Sequence, residues 1–103
     1  MRVVHCKREP SDVYIGRGSK WGNPFTHLDG TTARFRVGTR EEAIARYASW
    51  IREQPELLEA LPELAGKTLG CWCAPKSCHG EILVELCRER GLIPPVEEPG
   101  AHG

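Results

Sequence analysis

At 103 residues, 40% hydrophobic and 27% charged, the chain has material for one modest core and too little for two. That balance excludes the fibrous and disordered classes, and no apolar run reaches the length that spans a bilayer. Zero net charge hides an uneven distribution: residues 1–52 hold ten Lys/Arg against five Asp/Glu, and residues 53–103 hold four against nine. A basic first half favours an anionic small molecule or a nucleic acid, although a mixed surface whose halves pair would give the same count. The opening residues lack the layout of a signal peptide, so a cytoplasmic location without a membrane partner is expected. There the five cysteines (Cys6, Cys71, Cys73, Cys78 and Cys87) should stay reduced.

Residues 2–6 read as a first strand, and Val13-Tyr14-Ile15, β-branched and aromatic, as a second. Glycine, proline, asparagine and threonine recur from Gly16 to Gly38, which predicts a long loop with a short strand at 33–37. Thr39 and Glu42 form a capping-box pattern opening a helix whose apolar face carries Ile44, Tyr47, Ala48 and Ile51. Pro55 suits the first turn of a second short helix with Leu57, Leu58 and Leu61, interrupted at Pro62. Leu69 to Cys73 reads as a buried strand. A last helix, Cys78 to Arg90, turns Ile82, Leu83, Leu86 and Cys87 to the core, with Gly91 placed as a left-handed cap. Pro94-Pro95 ends regular structure, leaving a domain over 1–93 and a flexible tail over 94–103. The order β-β-loop-α-α-β-α predicts an α/β fold: one small sheet of three to four strands flanked by helices.

The densest chemistry lies where the last strand meets the last helix. Cys71, Cys73, Cys78 and His79 fall within nine residues. Cys71 and Cys73 leave one face of a strand while Trp72 points the other way. Three readings compete with a plain buried-core role, which suits Cys87 best. In the first, Cys71, Cys73, Cys78 and His79 hold zinc, with His5 or Cys6 as substitutes, although Cys-x-Cys-x4-Cys-His is not a standard finger spacing. In the second, Cys78 is a nucleophile activated at a helix N-terminus beside His79, with Cys73 as the alternative. In the third, the amides from Ser77 to Gly80, with Lys76, cradle an anion.

A second motif, Gly16-Arg-Gly-Ser-Lys-Trp-Gly-Asn-Pro-Phe, follows the second strand. Arg17 and Lys20 can neutralise phosphate or carboxylate, Trp21 can stack a base, and Asn23 both donates and accepts beside the flexible Gly22. The competing reading is a tight turn with Trp21 and Phe25 plugging the core.

Taken together, the two motifs resemble domain-of-unknown-function family 4326 of bacteria, archaea and phages, over roughly residues 2 to 90. The positions carrying the likeness are Arg17, Lys20, Trp21, Gly22, Asn23 and Pro24, then Cys71, Trp72, Cys73, Pro75, Cys78, His79 and Gly80. The Cys-His turn is also similar to one in domain-of-unknown-function family 488, where arginine stands in place of Gly80. The resemblance implies a fold and a site rather than a reaction.

The leading expectation is a small protein that binds an anionic, nucleotide-like ligand between the two loops. As an enzyme it would act on a nucleoside or nucleic-acid base, with Cys78 or Cys73 as nucleophile and His79 as acid/base. The alternative is a non-catalytic zinc-binding module that interacts with nucleic acid.

Overall fold

A computed structural model describes residues 1–26, 35–72 and 78–94. In chain order its elements are β1 (Arg2–His5), β2 (Val13–Tyr14), β3 (Phe25–Thr26), β4 (Phe35–Arg36), α1 (Arg40–Ile51), α2 (Pro55–Ala60), a 3₁₀ turn (Leu61–Glu63), β5 (Thr68–Cys71) and α3 (Gly80–Glu89). The fold is α/β. Its main sheet has the order β1-β5-β2, parallel throughout, and β3 pairs with β4 in a separate parallel ribbon.

Local chemistry sets the helix ends. Thr39 Oγ1 accepts from the Glu42 amide (3.0 Å), and Glu42 Oε1 accepts from the Gly38 amide, so the box closes one residue earlier than its usual form. At the far end of α3, Gly91 takes φ 72°; its amide donates to Arg88 and that of Leu92 to Cys87, the paired bonds of a Schellman stop.

The register places Val3 and Val13 on either side of Leu69, and Val4 and Tyr14 on either side of Gly70. Strand alternation sends Leu69 and Cys71 into the core with Ile15, Leu83 and Leu86. Gly70 faces the opposite way, under the connection from β1 to β2. A Cβ there would collide with the Ser11 side chain and lie 3.3 Å from Cys6 Cβ, so only glycine lets that connection seal the second face.

Several elements differ from the sequence reading. The long loop contains β3, too short to leave a periodic signal. On α1 the buried positions are Ala43, Tyr47 and Ile51, while Ile44 and Ala48 are half-buried; an i, i+4, i+8 ridge meets the core instead of the wider face. Leu57 and Leu58 are half-buried because α2 lies at the margin, and Leu61 enters the core from the 3₁₀ turn. The last helix begins at Gly80, two residues later than expected, with His79 as its cap. The strand ends at Cys71; Cys73, residues 33 and 34, and the tail from 95 onward lie outside the described residues. Among the described residues no helix is long and apolar enough to cross a membrane.

Candidate functional site

Because β1, β5 and β2 run parallel, their carboxyl ends share one edge of the sheet. Two described loops leave from it, residues 6–12 after β1 and the Gly16–Asn23 loop after β2, and β5 ends there with Trp72 following Cys71. The edge of an open α/β sheet where strand order departs from chain order is the usual ligand crevice, and here the last strand lies between the first two.

The two sequence motifs meet at this edge through His79. Its Nε2 lies 2.7 Å from the Ile15 carbonyl, at the start of the glycine-rich loop. A carbonyl only accepts, so Nε2 carries the hydrogen and Nδ1 the lone pair. Burial pulls this imidazole below its usual pKa; the Ile15 contact opposes that, and the positive charge of Arg17 adds to it. His79 is therefore neutral at pH 7. As an acid/base group it would have to work through Nδ1.

Tyr47 secures the other end of the loop. Its hydroxyl donates to the Trp21 carbonyl (2.8 Å), and its ring meets that of His79 edge-on at 4.9 Å. Burial pushes the phenol far above its usual range, and a thiolate at Cys78 would act in the same direction, so it remains a donor. Sequence reasoning took Tyr47 as core alone; its hydroxyl is the polar handle that a fully buried tyrosine must satisfy.

Cys71 and Cys78 face each other in the core with sulfurs 3.2 Å apart, well beyond the ~2.05 Å of a disulfide. The Gly80 amide donates to Cys78 Sγ at 3.3 Å. Gly80 itself is packed against the sheet: a Cβ would lie 2.8 Å from Ile15 Cδ1 and 2.9 Å from Val3 Cγ2. Its smallness lets α3 approach β1 and β2. Among the described residues no three His, Cys, Asp or Glu side chains converge as a metal site, and Cys73, the third thiol of the zinc reading, lies outside them. So do Lys76 and Ser77.

The glycine-rich loop divides into anchors and free groups. Trp21 is 2% exposed and plugs the core, so its ring is not available to a base. Asn23 is spent on the fold: Nδ2 donates to Ala43 O (3.1 Å) and Oδ1 accepts from the Phe25 amide (2.9 Å). Gly22 closes the loop on itself, where a Cβ would stand 3.0 Å from Gly16 O. Lys20 reaches Glu63 at 2.9 Å and lies over the Trp21 ring. Arg17 is exposed, and among the described residues no carboxylate pairs with it.

A third group, whose members the sequence reading did not bring together, lies at the same edge. Trp72 Nε1 donates to Tyr14 Oη (3.1 Å), and Tyr14 in turn donates to the Arg17 carbonyl (3.1 Å). His5 stands edge-on to Trp72 at 5.6 Å, and Lys7 Nζ lies 5.5 Å from the ring centroid. The signal was present in the alternation that turns Trp72 away from Cys71, toward solvent.

The chain belongs to family DUF4326. The match to this family, described as a domain of unknown function, runs over residues 2–89 and so includes both motifs and the whole sheet. An uncharacterized 12.4 kDa protein from the nrdA-td intergenic region of Enterobacteria phage T4 is 38% identical over 89 residues, covering 82% of this chain and 75% of the relative. An uncharacterized protein of Acanthamoeba polyphaga mimivirus is 36% identical over 108 residues, covering 82% and 77%. No solved structure matches this DUF4326 chain.

Proposed function

We propose that this DUF4326 protein binds an anionic, nucleotide-like ligand at the carboxyl edge of its three-stranded sheet, between the Arg17 loop and the turn into α3. The observation that carries the reading is the 2.7 Å contact of His79 with Ile15, which joins the two motifs at the edge where parallel sheets take ligands. Arg17 supplies the charge: exposed and unpaired among the described residues, it can grip a phosphate bidentately. His79, Tyr47 and Asn23 hold the loop that presents it.

Calorimetric titration with mononucleotides, nucleosides and inorganic phosphate tests this. Nucleotides should bind more tightly than nucleosides, and Arg17→Ala should weaken them by about tenfold or more, the weight of a charge-assisted hydrogen bond. If no member of the series binds at millimolar concentration, the reading fails. Catalysis at this edge would rest on Cys78, which would have to be uncovered from the core, with Cys73 as the other candidate. Retention of any ligand turnover by the Cys73→Ser, Cys78→Ser double variant would remove that role.

The proximity of Cys71 and Cys78 favours a second reading, a structural zinc held by these thiolates with Cys73 and His79, whose Nδ1 keeps its lone pair. Tetrahedral zinc at ~2.3 Å from each sulfur sets its ligands about 3.8 Å apart, a small adjustment from the 3.2 Å found. Elemental analysis of purified protein would show stoichiometric zinc, and chelation would lower the melting temperature. Neither result is compatible with a metal-free core.

A further inference from the structure

Trp72 is 55% exposed, yet its ring is not loose. The indole N–H is bound to Tyr14, His5 packs edge-on against the ring, and the amide of Lys7 donates to His5 Nδ1 (3.1 Å), which fixes the imidazole in turn. Among the described residues only Tyr14, Phe35 and Trp72 are large exposed hydrophobics, and two of the three are hydrogen-bonded to each other at the carboxyl edge. An indole left in water is common, whereas one immobilised in water by neighbours that are themselves fixed is a preorganised contact surface.

From this we infer that Trp72, held by Tyr14, is the nucleobase platform of the site, and that Lys7, which lies over the ring, and Arg17, whose carbonyl Tyr14 binds, take the phosphate. The inference rests on the nucleotide reading above and assigns the part of the ligand which that reading leaves open. Three arguments carry it. The tryptophan singled out by the sequence, Trp21, is buried and cannot stack, while Trp72 offers the flat face that a base requires. Lys7 Nζ lies 5.5 Å from the ring centroid, so a stacking base would displace it from the ring and leave it beside the phosphate of the same nucleotide. The Trp72–Tyr14–Arg17 chain of hydrogen bonds couples the position of the ring to the backbone of the phosphate-binding residue, setting both halves of a nucleotide site from one network. A free mononucleotide and an unpaired nucleotide of a single strand share this chemistry.

Titrations of the full chain with adenosine 5′-monophosphate, ribose 5-phosphate and an eight-residue oligodeoxythymidylate, followed by tryptophan emission and calorimetry, test the assignment. Trp21 is buried and Trp50 half-buried, so quenching of accessible indole reports on Trp72. The expected results are quenching by the two base-bearing ligands, tighter binding of these than of ribose 5-phosphate, and a loss of about tenfold or more in Trp72→Ala. Trp72→Phe should recover most of that loss, and the affinity for ribose 5-phosphate should fall by less than that for the base-bearing ligands. The exposed position of Trp72 leaves the core intact in both variants, and equal melting temperatures check this. Tighter binding of the oligonucleotide than of the monophosphate identifies a single strand as the source of the base; the reverse identifies a free nucleotide. Equal binding of all three ligands, unaffected by Trp72→Ala, overturns the platform and leaves the anion site standing. Binding of none overturns both.

Discussion

Replacing Tyr47 with phenylalanine removes one oxygen from the core and tests whether the glycine-rich loop is held from beneath. The hydroxyl is fully buried and donates to the Trp21 carbonyl at 2.8 Å. Phenylalanine preserves the ring contacts with Trp50 and His79, so the change isolates the hydrogen bond. A buried carbonyl stripped of its donor costs about 1–3 kcal/mol, more than the ~1 kcal/mol net value of an average hydrogen bond. With about 4–8 °C of melting temperature per kcal/mol for a domain near this size, a fall of at least 4 °C is expected. Thermal and urea melts followed by circular dichroism give the number, and an unchanged urea slope would assign it to the folded state. A melting temperature within 1 °C of the parent would refute the reasoning: the loop would then owe its position to Trp21 packing and to the Asn23 and His79 contacts.

Other consequences follow from the same cluster. His79 is held neutral by burial, so its folded pKa lies below the unfolded value of about 6.5. The unfolded chain then binds the extra proton, and stability should fall as pH drops below about 6.5, by up to ~1.4 kcal/mol per pH unit for this one group. Urea midpoints between pH 7 and 5 should show the slope, and His79→Gln, which keeps a donor for Ile15, should flatten it. Gly80→Ala, by contrast, puts a Cβ 2.8–3.0 Å from Ile15 and Val3 side-chain carbons, an overpacking cost of about 1–3 kcal/mol against a helix-propensity gain of ~1 kcal/mol at most. A drop in melting temperature is expected; a rise would mean that α3 can move off the sheet freely.

How much of this was legible depends on how local each determinant is. The start of α1 was, because Thr39 and Glu42 act within one turn, and so was the stop at Gly91, whose φ only glycine tolerates cheaply. The strand around Leu69 announced itself by composition. Trp21 was ambiguous because an aromatic residue in a loop carries no period; only the position of α1 decides whether it faces water or core. Asn23 looked like a free hydrogen-bonding group because its partner, Ala43, lies on another element. The edge cluster of His5, Lys7, Tyr14 and Trp72 draws on all three strands, and no window of sequence contains it.

The order β1-β5-β2 has a consequence for how the molecule comes into being. Neither of the first two strands can pair with the other, since the strand that belongs between them is made last; the Thr68 amide bonds to Asp12 across 56 residues of chain. Until residues 68–71 leave the ribosome, β1 and β2 have no sheet to join, and loop closure over that span must precede any reward from it. The strand that completes the sheet also delivers Trp72 to Tyr14. Closure of the sheet and assembly of its carboxyl edge are thus a single event, and a nascent chain stalled before β5 possesses neither.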